Sequence, residues 1–334
     1  MKILVTGGLG FIGINFINRL LKKKNTVILN LDKESYSSNI FFHHHLKKNS
    51  NYSYIKFDLT KNNGLLKIIN SFQPEKIINF AAESHVDKSI KFPKNIILNN
   101  ILSTTNLLIS SQKYFDGLKE FNQKKFRFLQ ISTDEVYGSL TYKDKAFVEK
   151  DKYYPNSPYS ASKASSDHIV RAFFKTYGLP ILITNCSNNY GPFQNIEKLI
   201  PTVIFNAINK KNIPVYGNGN QIRDWLHVYD HCDAITSVFK KGKIGSNYNI
   251  GGNNEITNLS LVSLILDIFN KKFKSKYFNY KSLIRFVSDR PGHDFRYAIN
   301  NTKIYNELSW SPKIEFSSGI RNTINWYIEN ANNK

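Results

Sequence analysis

Residues 132 to 138 read Ser-Thr-Asp-Glu-Val-Tyr-Gly, and further on Tyr159 and Lys163 stand four residues apart. On a helix that spacing puts a phenol and an ammonium on one face. An unperturbed tyrosine titrates near pH ~10, so neighbouring positive charge must favour the phenolate by several units, at roughly 1.4 kcal/mol each. A phenolate so favoured can remove a hydroxyl proton as hydride leaves the same carbon, and Ser132 or Thr133 can share that hydrogen bond. Asp134 and Glu135 add a second capability. Adjacent carboxyls whose burial pushes their proton affinities apart can serve as acid and base in one reaction. A lone Tyr-x-x-x-Lys arises often by chance; its weight here comes from following a strand that ends at Ser132-Thr133, downstream of a dinucleotide fingerprint.

That fingerprint is Thr6-Gly7-Gly8-Leu9-Gly10-Phe11-Ile12-Gly13. Gly7 and Gly10 let a turn tighten and a backbone approach a pyrophosphate, Gly13 lets the following helix sit close to a sheet, and the helix N-terminus supplies partial positive charge. The spacing is GxxGxxG, one residue longer than the commonest form. Asp32, at the end of the second predicted strand, can accept both ribose hydroxyls of NAD and would repel a 2′-phosphate, although Lys33 beside it leaves room for NADP. Asp58 is read two ways, as a partner of the adenine amino group or as a helix cap.

The elements that must position these groups follow from apolar periodicity. Lys2 to Thr6, Thr26 to Leu31, Ile55 to Phe57, Lys76 to Phe80, Phe126 to Ile131 and Ile181 to Asn185 read as short buried strands. Helices are predicted over Phe11 to Lys23, Lys94 to Tyr114 and Ser160 to Tyr177. Strands alternating with helices predict an α/β fold, a doubly wound parallel sheet of Rossmann type. After Asn185 Gly and Pro punctuate the chain, which predicts a smaller, mixed α/β substrate region. The expected division is an NAD-binding domain over 1–185, to which some later segments return, and a mainly substrate-binding domain over 186–334.

Composition narrows the classes. With 334 residues and 41% hydrophobic content the chain can bury a full core. No run approaches the ~18 to 20 apolar residues of a membrane span, and Lys2 to Thr6 is too short for a signal segment, so a cytoplasmic protein is expected. Cys186 and Cys232 are the only thiols and lack CxxC spacing, which suits a reducing compartment and neither a disulfide scaffold nor a zinc site. The net charge of +21 is scattered in pairs such as Lys47-Lys48, Lys124-Lys125 and Lys271-Lys272, without any nucleic-acid-binding pattern. A solvated face that steers an anionic small substrate is expected, and no nucleic-acid or membrane partner. His43-His44-His45 lacks supporting carboxylate or cysteine spacing and is read as part of an exposed loop over Glu34 to Tyr52, not a metal site.

With these segments in hand the chain resembles the extended short-chain dehydrogenases/reductases, and among them the nucleotide-diphosphate-glucose 4,6-dehydratases of the dTDP-glucose type. The resemblance rests on GGLGFIG at 7–13, AAESHVDKSI at 81–90, STDEVYG at 132–138, SPYSASK at 157–163, CSNNYGP at 186–192, EKLIP at 197–201, PVYGNGNQIRDWLHVYDH at 214–231 and DRPGHDFRY at 289–297. It implies a redox-neutral lyase using NAD: oxidation at glucose C4 with Tyr159 taking the hydroxyl proton, C5 deprotonation by Glu135, loss of the C6 hydroxyl as water with protonated Asp134 as donor, then reduction at C6. It implies a cofactor site of Gly7, Gly10, Phe11, Ile12, Gly13, Asp32, Lys33, Asp58, Leu59, Ala81, Ala82, Ser84, Asn99, Tyr159, Lys163 and Asn189. For the nucleotide sugar it implies Ser84, Thr133, Asn188, Lys198, Leu199, Pro214, Tyr216 and Asn258, with Arg223, Arg290 and His293 gripping the diphosphate and ribose. His85 is expected to orient or pack rather than to act as a base. The same resemblance implies a homodimer built on the 94–114 and 160–177 helices, and a place in deoxysugar synthesis of the rhamnose type.

The sequence departs from the bacterial pattern mainly in the Glu34 to Tyr52 stretch and in a short connection between Gly138 and Tyr159. An NAD-dependent nucleotide-sugar epimerase or decarboxylase would use Tyr159 and Lys163 but would not need Asp134 and Glu135; a non-catalytic NAD-binding protein would need none of the four. Thymine and uracil nucleotides are not distinguished, since one methyl in an apolar pocket is worth only about 1 to 3 kcal/mol.

Overall fold

A computed structural model describes residues 1–274 and 277–330. Among the described residues twelve strands form: β1 (Lys2–Thr6), β2 (Val27–Asp32), β3 (Tyr52–Lys56), β4 (Lys76–Asn79), β5 (Arg127–Thr133), β6 (Ile181–Cys186), β7 (Asn188–Tyr190), β8 (Ile213–Tyr216), β9 (Ile222–His227), β10 (Asn247–Ile250), β11 (Glu255–Thr257) and β12 (Ile284–Val287). The helices are α1 (Phe11–Leu21), α2 (Ile40–Leu46), α3 (Leu65–Phe72), α4 (Val86–Lys91), α5 (Pro93–Asp116), α6 (Glu120–Gln123), α7 (Pro158–Tyr177), α8 (Leu199–Ile208), α9 (Val228–Lys241), α10 (Asn258–Lys272), α11 (Thr302–Leu308) and α12 (Phe316–Glu329). Seven strands make one parallel sheet in the order β10-β6-β5-β4-β1-β2-β3. The sequence reverses direction beside β1, between β2 and β4. A doubly wound sheet opens a crevice at that point, at the carboxyl ends of its strands.

Helices cover both faces of this sheet, so its inner strands are continuously apolar: Ile3, Leu4 and Val5 of β1 and Ile77 and Ile78 of β4 are fully buried. Strand β3 lies at the edge and alternates instead, with Ile55 exposed. It therefore occupies Tyr52–Lys56 rather than the apolar Ile55 to Phe57. The last strand to join, β10, comes from the second half of the chain and pairs with β6. The three-stranded β11-β9-β7 sheet and the β12-β8 pair lie over the carboxyl ends, with a separate apolar core between α8, α10 and α12.

Helix α7 carries the Tyr-x-x-x-Lys pair, and its start is locally encoded. Ser157 and Ser160 form a reciprocal capping box, Pro158 occupies the first turn, and Gly178 closes the C-terminus with φ +72°. Its buried face is lined with serines that donate within the helix, as Ser162 does to Tyr159 O at 2.7 Å and Ser166 to Ser162 O at 2.9 Å. Small residues let α5 lie directly alongside, where Asn100 donates to Ser162 Oγ at 2.9 Å.

The Glu34 to Tyr52 stretch corrects the reading of an exposed loop. Residues Ile40–Leu46 are helical, and the i, i+3 spacing of His43 and Leu46 turns both inward while His44 and His45 stay outside. His43 Nδ1 meets the Tyr52 hydroxyl at 3.1 Å, and its ring sits edge-on to Tyr54. Tyr52 accepts from Asn30 Nδ2 at 3.0 Å, and Asn30 Oδ1 accepts the Gly8 amide at 3.1 Å. The first histidine of the run, His43, therefore ends a hydrogen-bond chain that props the glycine-rich turn.

Candidate active site

The glycine-rich turn joins β1 to α1 at the crevice. Gly7 has φ +69°, and a Cβ there would stand 2.6 Å from the Ala81 amide nitrogen; at Gly13 a Cβ would stand 2.6 Å from Gly7 O. Both positions exclude a side chain, one by conformation and space, the other by the close approach of α1. No side chain caps α1, so its first-turn amides face the cleft without a side-chain acceptor. Asp32 is buried and takes the Leu9 amide at 3.0 Å and the Glu34 amide at 2.9 Å. Free amides, a close backbone and a carboxylate at the end of β2 are the donor and acceptor set that a dinucleotide diphosphate and a ribose diol require.

Two pockets that share Gly7, Gly10, Ser37, Phe80 and Ala82 make one continuous cleft. Asp32, Lys33, Asp58, Leu59, Ala81 and Asn99 line its outer half. Phe11, Ile12, Gly13, Ser84, Tyr159, Lys163 and Asn189 line its inner half. Lys33 is engaged by Glu83 at 2.6 Å and Asn99 at 2.9 Å, which removes it as a free partner for a 2′-phosphate. Asp58 holds the turn after β3 by accepting the Thr60 amide and hydroxyl while still lining the pocket; it caps no helix, since α3 begins at Leu65 behind Gly64 without a side-chain cap.

The inner half gathers the catalytic candidates. β5 ends in Thr133, whose Oγ1 accepts the Glu135 amide at 3.3 Å and so starts a 3-10 turn over Asp134–Tyr137. That turn places Thr133, Asp134 and Glu135 in the same lining as Tyr159 and Lys163. The hydroxyl of Ser132 is committed to Asp167 at 2.5 Å, which leaves Thr133 as the hydroxyl at the cleft. Lys163 Nζ donates to Ile131 O at 2.7 Å.

The two carboxyls stand in unequal fields. Burial, then Glu135 and Asp224, push the Asp134 carboxyl well above the ordinary carboxylate range, and its Oδ2 has no hydrogen-bond partner within the chain. Burial also raises Glu135, but Arg290, Lys198 and Arg223 oppose the shift with positive charge. Asp134 is the group held as the acid, and Glu135 the one more readily ionised. Burial, with Glu135 the next influence, pushes the Tyr159 phenol well above its ordinary value. Deprotonation of Tyr159 thus requires positive charge beyond what stands around it in the protein alone.

Among the expected sugar and nucleotide contacts, Ser84, Thr133, Asn188, Lys198 and Leu199 line the inner cleft. Lys198 Nζ donates to Ser84 O at 2.7 Å, clasping the two sides. Arg290, Tyr216 and His293 form a separate group: Arg290 lies 3.6 Å from Asp87, the Tyr216 hydroxyl donates to Asp87 at 3.3 Å, and His293 meets Asp289 at 2.6 Å. Arg223 is buried, stacks on Tyr297 at 4.2 Å and donates to the carbonyls of Ile222, Phe295 and Asp294. Pro214 on β8 and Asn258 at the start of α10 lie outside the cleft lining, as do these arginines, Tyr216 and His293. His85 caps α4 through Nδ1 and faces Glu197 with Nε2 at 3.3 Å, an orienting arrangement.

Sequence reasoning missed Asp167, Glu197 and His231. Asp167 was recoverable, because it continues the i, i+4 series from Tyr159 and Lys163. Glu197 receives the Tyr36 hydroxyl and Lys88 from distant segments, and His231 contacts Asn189 Oδ1 at 2.9 Å. No local spacing announces either.

Known proteins share this architecture throughout. The family model for GDP-mannose 4,6 dehydratase matches residues 4–323. The dTDP-glucose 4,6-dehydratase of Salmonella typhimurium is 46% identical over 339 aligned positions, covering 99% of this chain and 94% of the relative. The crystal structure of the Bacillus anthracis dTDP-glucose 4,6-dehydratase in complex with NAD superposes with a TM-score of 0.87 at 43% identity, covering 99% and 98%. That of the Streptomyces venezuelae dTDP-glucose 4,6-dehydratase with NAD and TYD bound gives 0.90 at 36% identity over 99% and 98%.

Proposed function

The chain belongs to the GDP-mannose 4,6 dehydratase family, and we propose that it converts an NDP-glucose, dTDP-glucose or UDP-glucose, to the NDP-4-keto-6-deoxyglucose with loss of water. The single observation that carries this reading is the unequal pair of buried Asp134 and half-buried Glu135 beside Tyr159 and Lys163 in a dinucleotide cleft. NAD, when bound, would supply the hydride acceptor for glucose C4 and the hydride donor for C6. Tyr159 accepts the 4-hydroxyl proton in the oxidation. The resulting ketone acidifies the C5 proton, and Glu135, kept ionisable by Arg290, Lys198 and Arg223, removes it. Asp134, held protonated by burial, gives its proton to the departing C6 hydroxyl. Glu135 then returns its proton to C5.

Supporting groups take defined parts. Lys163 and Asn189 hold the cofactor's inner half, and Asp32 its ribose. Lys198, Arg223, Arg290 and His293 supply positive charge toward a diphosphate, while Pro214, Tyr216, Leu199 and Asn258 border the nucleotide; the division into a 1–185 cofactor unit and a 186–334 sugar-nucleotide unit belongs to the same reading. No helix among the described residues is long and apolar enough to cross a membrane. A cytoplasmic enzyme of rhamnose-type deoxysugar synthesis, acting as a homodimer on α5 and α7, completes the proposal. Exposed Leu98, Leu102 and Tyr177 on those helices support the dimer.

The test is incubation of the pure protein with dTDP-glucose, UDP-glucose and, for comparison, GDP-mannose, reading the alkaline absorbance of a 4-keto-6-deoxy sugar. Product from a glucose nucleotide is expected; none from any of the three rejects the proposal.

A further inference from the structure

The chemistry above leaves a buried acid of the catalytic helix unused. Asp167 stands one turn beyond Lys163 on α7 and is 2% exposed. Tyr159, Lys163 and Asp167 thus share one helical face. Asp167 Oδ2 accepts from Ser132 at 2.5 Å and from the Tyr153 hydroxyl at 3.4 Å, while Oδ1 has no partner in the protein. Ser132 and Lys163 line the catalytic cleft, whereas Asp167 and Tyr153 line a second cavity together with His168 and Arg171. The carboxyl stands between the two spaces.

Lys163 depends on this carboxyl. Burial pushes the lysine down, and the Asp167 charge is the largest influence holding it up; its own hydrogen bond goes to a neutral carbonyl. The reaction balance adds a second demand. One turnover leaves the 4-hydroxyl proton on Tyr159 and leaves Asp134 one proton short, with no net redox change. The phenol must shed that proton before it can act again.

We propose that Asp167 is a positioning residue for C4 oxidation, the counter-ion that keeps Lys163 charged and the carboxyl through which protons pass between the catalytic cleft and the cavity behind α7. The inference rests on the dehydratase reading. In the transfer the Tyr159 O–H bond breaks and Lys163, on the same helical face, takes that proton as it passes one of its own to Asp167, which releases it to water in the rear cavity; Asp134 regains its lost proton from water entering the cleft once product leaves, so only water is needed as co-reactant.

Charged and titratable neighbours come from several elements. Lys163, His168 and Arg171 belong to the same helix, and Tyr153 precedes it, with Glu149, Lys150, Asp151 and Lys152 around the rear cavity. Tyr137 of the 3-10 turn feels the Asp167 charge while its hydroxyl donates to Asn249, and Cys186 of β6 acts on Lys163 in the same way. Burial raises Asp167 to about 6, with Lys163 the largest opposing charge and Ser132 and Tyr153 contributing hydrogen bonds. Above that pH it is ionised; below it, Lys163 loses its counter-charge.

The experiment uses the NAD-loaded Glu135→Gln enzyme, in which elimination is blocked, mixed with dTDP-glucose over about pH 5 to 8, with the absorbance of reduced cofactor followed in time. With Asp167 intact the rate should fall about tenfold per pH unit below the Asp167 transition. Adding Asp167→Asn should slow it at least about tenfold at neutral pH and abolish the acid limb, with KM changed less than about threefold. Asp167→Glu, which keeps the charge, should restore the limb. Independently of turnover, infrared difference spectra of the wild-type enzyme should show a protonated-carboxyl band that grows below about pH 6 and is lost in Asp167→Asn. An Asn variant within about twofold of the parent rate, an unchanged acid limb, or no such band overturns the proposal. If the wild-type enzyme neither reduces cofactor nor forms product with any glucose nucleotide, the dehydratase reading fails and takes this role with it; normal turnover with an unmoved profile defeats this inference alone.

Discussion

Asp134 and Glu135 are neighbours in sequence but not in circumstance. One is buried with no positive group strong enough to offset its neighbours; the other faces three cations. Asp134→Asn and Glu135→Gln should therefore still reduce bound cofactor with substrate yet lose water elimination, each by about 10²–10⁴-fold. Stopped-flow absorbance and product assay separate the two halves, and normal dehydration by both variants would contradict the assigned roles. The pH profile of elimination follows from the same directions. Raising the pH removes the Asp134 proton and lowering it protonates Glu135, so activity should fall on both sides of a bell, and Asp134→Asn should remove the alkaline limb from whatever elimination remains. The residue types and spacing were legible in the sequence because Tyr159, Lys163 and the STDEVYG run are local patterns. Lys198, Arg223 and Arg290 enter only through the resemblance, as sugar-nucleotide contacts; that their charge separates the two carboxyls was not legible, since they belong to other elements and no local spacing ties them to Glu135.

At the scale of elements, α7 was readable almost to the residue, because its capping box and closing glycine are encoded within the helix and its next neighbours. Ser157→Ala should cost about 0.5–2 kcal/mol of stability, read as a lowered unfolding midpoint. The α2 segment was not readable, because His43 is turned inward by partners on β2 and β3 rather than by local pattern. His43→Ala cuts the chain that runs through Tyr52 and Asn30 to the Gly8 amide. It should destabilise the protein by about 1–3 kcal/mol and weaken NAD binding, measured by thermal unfolding and by titration of the apoenzyme. Unchanged NAD affinity would show that the glycine-rich turn holds its shape without this support. Edge strand β3 was placed late in the sequence because an apolar run marks a buried strand, whereas an edge strand alternates.

For the whole molecule, the parallel sheet was legible from its alternating strands and helices, but the return of β10 to pair with β6 was not specified by position, since long-range pairing leaves no periodic trace. The dimer proposal belongs to this scale too. Replacing Leu98 and Leu102 on α5 by glutamate should yield a monomer by light scattering, and an unaltered dimer would place the interface elsewhere. The central claim is that an oxidoreductase fold here performs a redox-neutral dehydration, with hydrogen moved within one sugar. Turnover of dTDP-glucose labelled with deuterium at C4 tests it most directly. The account predicts a product lighter by one water that keeps the deuterium, now on C6, with no net consumption of NAD; a product of unchanged mass epimerised at C4, or one whose formation consumes NAD mole for mole, would contradict it.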